Sequence, residues 1–416
     1  MSHVKDPSLA KEGRLKIEYA ETHMGALLKI REEYAKTKVF AGLHIGMALH
    51  VTKETAVLIE TLQALGATVA ICSCNPLSTQ DDVAAALAES GTEVYAYKGE
   101  THEDYYSFLK KVIETKPNIT IDDGCDLISE IHKNYPALIA GIIGGCEETT
   151  TGIMRLRAME KDNALKYPVI AVNDNRTKHL TDNYYGTGQS TWDGILRSTN
   201  VLIAGKTVVI SGYGDCGKGV ALRARGMGAT VIITEVDAFR ALQATFDGLR
   251  VMKLADASKL GDIFITVTGN KRVISEEMLK NMKSGAILAN AGHFNTEIDI
   301  EALEKIKKSK QHVRPFLEEY KTIDGRKLYL IAEGRLCNLG AAEGHPSEVM
   351  ALSFSGQVLA CNYLVTHKGK LEPKVHRLPD EIDDYISKLQ LTSMGIEIDE
   401  LTPEQRKYLA SWEEGT

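Results

Sequence analysis

Two rhythms of apolar residues alternate along the first 175 or so positions. Residues 54–65 place apolar side chains three and four apart, the spacing of one helix face, and lead through Gly66 into the strand-like run 68–72. The same order follows twice more, with a helix predicted over 81–90 before a strand at 93–97, and a helix over 103–114 before a strand at 118–122. Such alternation predicts a parallel sheet covered on both faces. The most apolar run, 137–145, is too short to span a bilayer and reads as a buried strand. A second sheet of the same kind is predicted from Lys206, with strands at 207–211, 230–234, 262–268, 286–290 and 327–332. From about Ser347 the pattern turns mostly helical and polar, which predicts a docking or assembly segment. Within it, Ile382, Ile386, Leu389, Leu401 and Leu409 keep helical spacing and are expected to serve assembly. The expected fold class is α/β, with two doubly wound parallel-sheet domains and a small helical C-terminal segment. The expected boundaries are 1–175 with 347–376 for the first domain, 189–344 for the second and 377–416 for the last. Two such sheets facing each other imply a ligand cleft at the carboxyl ends of their strands.

Composition narrows the classes of function. A chain of 416 residues, 44% hydrophobic and 25% charged, is long enough for two or three domains with buried cores. The net charge is −7, and the lysines of KIKKSK near 305–310 read as a solvated helix end, so no nucleic-acid partner is expected. MSHVKDPSLA has no apolar core for a signal peptide, and a cytoplasmic protein without a membrane partner is expected. There are seven cysteines and no C-x-x-C pair. Cys72-Ser-Cys74 has no partner ligands at zinc spacing, so buried thiols and no metal are expected.

The stretch GYGDCGKG, residues 212–219, follows the apolar run 207–211 and opens a segment with helical spacing. Gly212, Gly214 and Gly217 form G-x-G-x-x-G, which permits a tight turn, close approach of a pyrophosphate, and close packing of helix on strand. The next strand ends at Glu235, placed to accept hydrogen bonds from an adenosine ribose. Strand, glycines, helix, strand and acid in this order predict a Rossmann-like dinucleotide site. In the first domain, polar residues gather where predicted strands end: His50 with Thr52 and Glu54, then Asp122 and Asp123, then Glu147-Glu-Thr-Thr-Thr-Gly152. The linker NDNRTKHLTDNYYGTGQS, residues 173–190, carries Lys178, Asp182 and Asn183, and His293 and His345 lie in NAGHF and GHPS. Lys178 and Asp182 fall on one face if the linker is helical. Each residue alone has a structural explanation as a cap, a turn or a surface histidine; their convergence at strand ends and crossings points to one site.

These residues carry a resemblance. HVTKETAVLIETL, SCNPLSTQDDVAAAL, YKGET, DDGCDL, EETTTG, the linker, GYGDCGKG, GHFNTEID, AEGRLCNLG and GHPSEVM together resemble the S-adenosylhomocysteine hydrolase family, collinearly from about residue 14 to 410. The resemblance implies that NAD serves as an internal catalyst: oxidation of the 3′ hydroxyl acidifies the 4′ C–H, homocysteine leaves by elimination, water adds, and the ketone is reduced back. By position, it implies Asp123 as the base at C4′, His50 handling protons at C5′, and Lys178 taking the 3′ hydroxyl proton. Glu148 and Asp182 would hold the ribose hydroxyls, and Asn183 and His293 would line the hydride-transfer face. Thr52 and Glu54 match positions that read the adenine edge, with His345 at the hinge over the base. Implied NAD contacts are Thr149, Thr150, Thr151, Gly212, Gly214, Asp215, Cys216, Gly217, Glu235, Arg240, Thr268 and Asn338. A lysine base must lose its charge, which calls for a desolvated, closed cleft, and the nearby Asp182 opposes this by favouring the ammonium. The family further implies a homotetramer.

Three departures stand out. Thr187 replaces a cysteine common near the nicotinamide, and Arg240 replaces an asparagine near the adenosine ribose of NAD, softening discrimination against a 2′ phosphate that Glu235 would still repel. The sequence ends at YLASWEEGT, short of the tail whose lysine and tyrosine reach a neighbouring subunit's NAD in relatives, which implies weaker retention of NAD. An ordinary NAD-dependent dehydrogenase would share the second domain but need a His–Arg–acid set. A non-catalytic nucleoside sensor would lack the set His50, Asp123, Glu148, Lys178 and Asp182. A hydrolase of the inosine analogue is the near neighbour, and Thr52 with Glu54 favours adenine.

Overall fold

The computed structural model describes residues 2–413. Met1 and residues 414–416, the extreme ends of the first and last expected units, lie outside the described residues. The chain forms two sheets. Strands β1 (His44–Ala48), β2 (Thr68–Cys72), β3 (Glu93–Tyr95), β4 (Ile119–Asp122), β5 (Gly144–Glu147) and β6 (Val169–Ala171) begin the first. The second holds β7 (Thr207–Ser211), β8 (Thr230–Thr234), β9 (Arg250–Val251), β10 (Ile263–Thr266), β11 (Ala286–Asn290), β12 (Lys307–Arg314), β13 (Leu317–Thr322) and β14 (Lys327–Ile331). A last short strand, β15 (Val375–His376), returns to the first sheet.

The first sheet runs β15-β6-β5-β4-β1-β2-β3 and is parallel throughout. The second runs β12-β13-β14-β11-β10-β7-β8-β9. Each has one place where successive connections depart in opposite directions, between β1 and β4 in the first and between β7 and β10 in the second. Such a switch point opens a crevice at the carboxyl ends of the strands. Side chains alternate between the two faces of each sheet: Ile45 and Met47 of β1 enter one core and Ala48 another, while Val208 and Ile210 of β7 oppose Val209. Four apolar clusters result, one on each face of each sheet.

The structure corrects four expectations. The run 137–145 is not a strand: Pro136–Gly141 is a 3-10 helix with no buried residue, and only Gly144–Glu147 pairs in the sheet. The second sheet is not wholly parallel, because β12 and β13 turn back antiparallel on β14. Of the KIKKSK lysines, Lys305 stays in the last turn of the helix Ile300–Ile306, whereas Lys307, Lys308 and Lys310 enter β12, an edge strand whose exposed faces tolerate charge. The block from Ser347 begins with an apolar rather than a polar helix. Ser347–Thr366 is long and apolar enough to cross a membrane, yet most of it is buried in the first core through Ala351, Phe354, Val358 and Leu364. Of the later apolar residues, Ile382, Ile386 and Leu389 also pack on that core, whereas Leu401 and Leu409 are exposed.

The chain crosses between sheets twice. The outward crossing contains a π-helical turn, His179–Gly186, followed by the helix Thr187–Thr199, whose Trp192 and Ile195 enter the second core. The return crossing passes through His345 into the buried helix Ser347–Thr366.

Candidate active site

Carboxyl ends of both sheets face one cavity of about 1120 Å³. Its wall includes every residue singled out above as catalytic, substrate-binding or cofactor-binding except Gly217, which sits one layer behind.

β4 ends in Asp122, and the turn after it reverses through Gly124 at φ +105° and Cys125 at φ +66°. Asp122 is consumed structurally, accepting from the backbone N–H groups of Asp123 and Ile128 at 3.0 and 2.8 Å. Asp123 instead points into the cleft, 6% exposed, and its Oδ1 has no hydrogen-bond partner. Burial raises its pKa, opposed by His293 and Lys178. His293 reaches it from the second sheet, with Nδ1 at 3.5 Å from Oδ1. A Cβ on Gly124 would lie 2.4 Å from His293 Nε2, so this approach needs glycine. His293 itself is placed by Asn290 at the end of β11, which accepts from Gly292 N–H at 2.8 Å and donates to the Phe294 and Gly334 carbonyls at 2.9 Å.

His50 follows β1. Its Nδ1 is hydrogen-bonded to Ser78 Oγ at 2.7 Å, leaving Nε2 3.5 Å from Asp123 Oδ2. Burial, helped by the proximity of His345, pushes its pKa down to about 3, so the ring is neutral at physiological pH. Thr52 caps the helix Lys53–Ala64 by accepting from Thr55 N–H, which fixes Glu54 in the first turn. Glu54 is 1% exposed and accepts from Ser347 Oγ at 2.7 Å.

β5 delivers Glu147 and Glu148. Glu147 Oε1 accepts from Gly124 N–H and Thr149 N–H, both at 2.9 Å, tying the two turns together. Glu148 turns the other way and accepts from Ser353 Oγ and Gln357 Nε2 of the buried helix; burial raises its pKa to about 7, with Lys178 opposing. Thr149 caps the helix Thr150–Lys161, so Thr149, Thr150 and Thr151 line the cleft at a helix N-terminus.

In the outward crossing, π-helical winding brings both Asp182 and Asn183 within reach of one ammonium. Lys178 Nζ donates to Asp182 Oδ1 at 2.8 Å, Asn183 Oδ1 at 2.9 Å and Asn173 Oδ1 at 3.3 Å. Burial alone lowers a lysine pKa, and here Asp182 and Glu148 outweigh it, so the net shift is upward. Desolvation in a closed cleft therefore does not by itself discharge this lysine, because the same cleft brings Asp182, expected to favour the ammonium, together with Glu148. Asp182 is pulled well below its ordinary value by Lys178 and His345, against the effect of burial. His345 Nδ1 lies 3.1 Å from Asp182 Oδ2 and its Nε2 3.4 Å from Thr187 Oγ1, linking the two crossings.

On the second sheet, Gly212 adopts φ +105°, and a Cβ on Gly217 would meet the Gly212 carbonyl oxygen at 2.1 Å. Only glycine permits that turn and packing. The helix Asp215–Gly226 then points its N-terminal N–H groups into the cavity. Glu235 is placed by accepting from Tyr213 N–H at 2.7 Å. Arg240 lies beside Gly214 at the rim, and Cys216 Sγ stands 3.7 Å from Thr187 Oγ1. Thr268 is held by Glu297, which accepts from its N–H and hydroxyl at 2.9 and 2.6 Å. Asn338 donates to Ser190 Oγ at 3.2 Å, while its buried Oδ1 has no partner.

The supporting residues Ser78, Asn173, Asn290, Glu297, Ser347, Ser353 and Gln357 were not foreseen. Asn290, Glu297 and Asn173 sit in or beside recognisable stretches, but Ser353 and Gln357 lie in a helix whose pattern is otherwise that of core.

A glycine turn on a helix N-terminus, facing carboxylates, a lysine and a neutral histidine on a second sheet, defines a nucleotide-dependent enzyme acting in an interdomain cleft. Comparison with known proteins narrows the class. S-adenosyl-L-homocysteine hydrolase matches residues 1–135, and its NAD binding domain matches residues 183–344. The S-inosyl-L-homocysteine hydrolase of Methanocaldococcus jannaschii is 58% identical over 416 residues, 100% of both chains. The adenosylhomocysteinases of Sulfurisphaera tokodaii and Aquifex aeolicus are 56% and 58% identical over 413 and 414 residues, 99% of each chain. The chain belongs to the S-adenosyl-L-homocysteine hydrolase family, and NAD is its cofactor. The glycine turn, the helix N-terminus and the unpartnered Asn338 oxygen fit that group.

Proposed function

We propose that this chain catalyses the reversible hydrolysis of S-adenosyl-L-homocysteine to adenosine and L-homocysteine. The observation that carries the reading is the meeting of Asp123, His50, Lys178 and Glu148 with His293 and the glycine turn in one cavity. NAD, when bound against Gly212, Gly214, Asp215, Glu235, Thr268 and Asn338, supplies a reversible hydride acceptor for the 3′ carbon of the ribose. Thr149, Thr150, Thr151, Cys216 and Arg240 complete its surroundings, with Gly217 packing behind. Asn183 and His293 line the face where ribose and nicotinamide meet.

Lys178 takes the proton of the 3′ hydroxyl. Glu148 and Asp182 hold the ribose hydroxyls, and once those hydroxyls occupy the carboxylates, their grip on the Lys178 ammonium weakens. Asp123 removes the 4′ proton: burial raises its basicity, and its unpartnered oxygen keeps a lone pair free. His50, anchored by Ser78 and neutral in the ligand-free protein, takes the proton of the water that adds at C5′, and the imidazolium so formed is the donor that protonates the departing sulfur. Thr52 and Glu54 read the base edge, with His345 over it.

Adenine offers an amino donor where hypoxanthine offers a 6-oxo acceptor. Glu54, an acceptor, favours adenine, while the relative named S-inosyl-L-homocysteine hydrolase makes the 6-oxo substrate the second reading. Purified protein supplied with NAD and L-homocysteine is expected to condense adenosine faster than inosine. Preference for inosine would reverse the substrate assignment, and condensation of neither would overturn the function.

The units proposed are 1–175 with 347–376 for the nucleoside and 189–344 for NAD; of the last unit, 377–416, the helix Asp380–Ser393 joins the first core and the arm beyond Gly395 serves assembly. We place the enzyme in the cytoplasm as a homotetramer acting on small molecules, with no nucleic-acid or membrane partner.

A further inference from the structure

Lys53 opens the helix Lys53–Ala64, directly after its Thr52 cap. A cation in the first turn opposes the helix dipole, so a lysine here is unfavourable unless something else holds it. Two carboxylates from distant parts of the chain do so. Lys53 Nζ lies 3.3 Å from Oε1 of its neighbour Glu54 and 3.1 Å from Oε2 of Glu343, at the start of the return crossing. The Lys53 backbone N–H donates to Gln80 Oε1 at 3.1 Å, and Gln80 Nε2 donates to the Glu343 carbonyl at 3.4 Å. Glu343 Oε1 in turn stands 3.1 Å from Arg197 Nη1 on the helix Thr187–Thr199, which follows the outward crossing. Burial pulls the Lys53 pKa down, but Glu54 and Glu343 outweigh it and the net shift is upward, so the ammonium keeps its charge. We propose that Lys53 is a positioning residue for base recognition: acting through Glu54, it keeps that carboxylate ionised and an acceptor only, and so sets the preference between 6-amino and 6-oxo purine nucleosides.

Glu54 is 1% exposed, and Lys53 is its one cationic partner among the described residues. Ser347 Oγ donates to the same oxygen, Oε1, at 2.7 Å, which leaves Oε2 without a hydrogen-bond partner among the described residues, on a side chain that lines the cavity. The other charged and titratable groups around this helix are committed elsewhere. His50 and His345 line the same cavity but pair with Asp123 and Asp182. Glu348 on the buried helix pairs with His23, Asp82 on the helix Asp81–Glu89 with Lys16, and Arg14 with Glu60. A carboxylate this deeply buried keeps its charge while a cation compensates it and takes up a proton when that cation is removed. The neutral acid then carries an O–H donor that the carboxylate lacks. Ionised Glu54 accepts from the 6-amino group of adenine; protonated Glu54 donates to the 6-oxo group of hypoxanthine. The inference deepens the base reading proposed above and rests on Glu54 facing the base, but not on the reaction that follows.

The test uses the full-length, NAD-loaded protein, whose affinities for adenosine and inosine are measured by calorimetry from about pH 6 to about pH 8. The two nucleosides share their ribose, so the ratio of affinities cancels titration of the groups around it and leaves the base edge. In the wild type that ratio should vary by less than about twofold across the range. In Lys53→Met it should move toward inosine by at least about tenfold near about pH 6, and return as rising pH ionises Glu54. Lys53→Arg should restore the wild-type ratio at every pH. Should Lys53→Met fail to fold, Lys53→Gln read in the same way replaces it. A ratio in the variant equal to that of the wild type throughout, or displaced without any pH dependence, overturns the proposal. A pH-dependent displacement in a protein that condenses neither nucleoside would uphold the role of Lys53 and remove the proposed function.

Discussion

Glu147 accepts three hydrogen bonds on one carboxylate oxygen, from Gly124 N–H, Thr149 N–H and the Thr149 hydroxyl, and none on the other. It pairs in register with Asp122 across β4 and β5, so two fully buried carboxyls meet at adjacent strand ends. Burial raises both, Asp122 to about 7, and the charge of Asp122 raises Glu147 further. Glu148 is raised to about 7 by burial as well. A carboxyl whose folded pKa exceeds its unfolded value holds its proton more tightly when folded. Its contribution to stability is present at low pH and is lost as pH rises through the raised value. Asp182 has the opposite sign, but its contribution is lost only well below this window. Buried His50 and His293, pushed down, also have the opposite sign, but their contribution is complete above the ordinary histidine value of 6.5. The ligand-free protein is therefore expected to show a falling thermal midpoint between about pH 6.5 and about pH 8. Glu147→Gln removes one of these titrations and should make the fall shallower. Midpoints read by circular dichroism across that range check it, and an unchanged slope would contradict it.

At the scale of elements, the glycine turn and its helix form a unit whose packing tolerates no side chain at Gly217. A Cβ there would lie 2.1 Å from the Gly212 carbonyl oxygen, so Gly217→Ala must displace the helix Asp215–Gly226 from β7. NAD affinity is expected to fall at least about tenfold, equivalent to about 1.4 kcal/mol, while adenosine binding changes little. Calorimetric titration with each ligand separates the two, and undiminished NAD affinity would contradict the assignment. This unit was legible because its geometry demands particular residues in a fixed order. The central strands were legible for a related reason: burial on both faces leaves an unbroken β-branched run, as in 207–211 and 230–234. The run 137–145 misled because apolar composition does not distinguish a strand from a 3-10 turn that Pro136 initiates. β12 was hidden because an edge strand pairs through its backbone and can carry lysines and a glutamine outward. In the site, residues at strand ends could be found because the fold class predicts where they converge. Glu297 could not, since it acts by holding a backbone turn through contacts that only the folded chain creates.

The whole molecule leaves apolar surface unpartnered. The C-terminal arm from Gly395 to Glu413 has no buried residue, with Ile398 at 66%, Leu409 at 69% and Trp412 at 93% exposure. The helix Ala238–Phe246 likewise turns Phe239, Leu242 and Phe246 outward at helical spacing. Such surfaces on one chain are typical of association. With Ile382, Ile386 and Leu389 committed to the chain's own core, the arm beyond Gly395 is the part free to serve the proposed tetramer. Light scattering is expected to give the mass of four chains, and Leu401→Asp with Leu409→Asp a smaller species of unchanged circular dichroism. A wild-type monomer would remove the assembly proposal.

Exchange of the C4′ hydrogen with solvent tests the cleft chemistry most directly. Adenosine incubated in D₂O with the NAD-loaded enzyme is expected to gain deuterium at C4′, read by proton NMR. Asp123→Asn should still develop the absorbance of reduced nicotinamide but lose the exchange by a factor on the order of 10²–10⁴. Lys178→Ala should suppress both. Condensation of adenosine with homocysteine by the wild-type enzyme without deuterium at C4′ would contradict the account, because it would require direct displacement at C5′ with Asp123 playing no part.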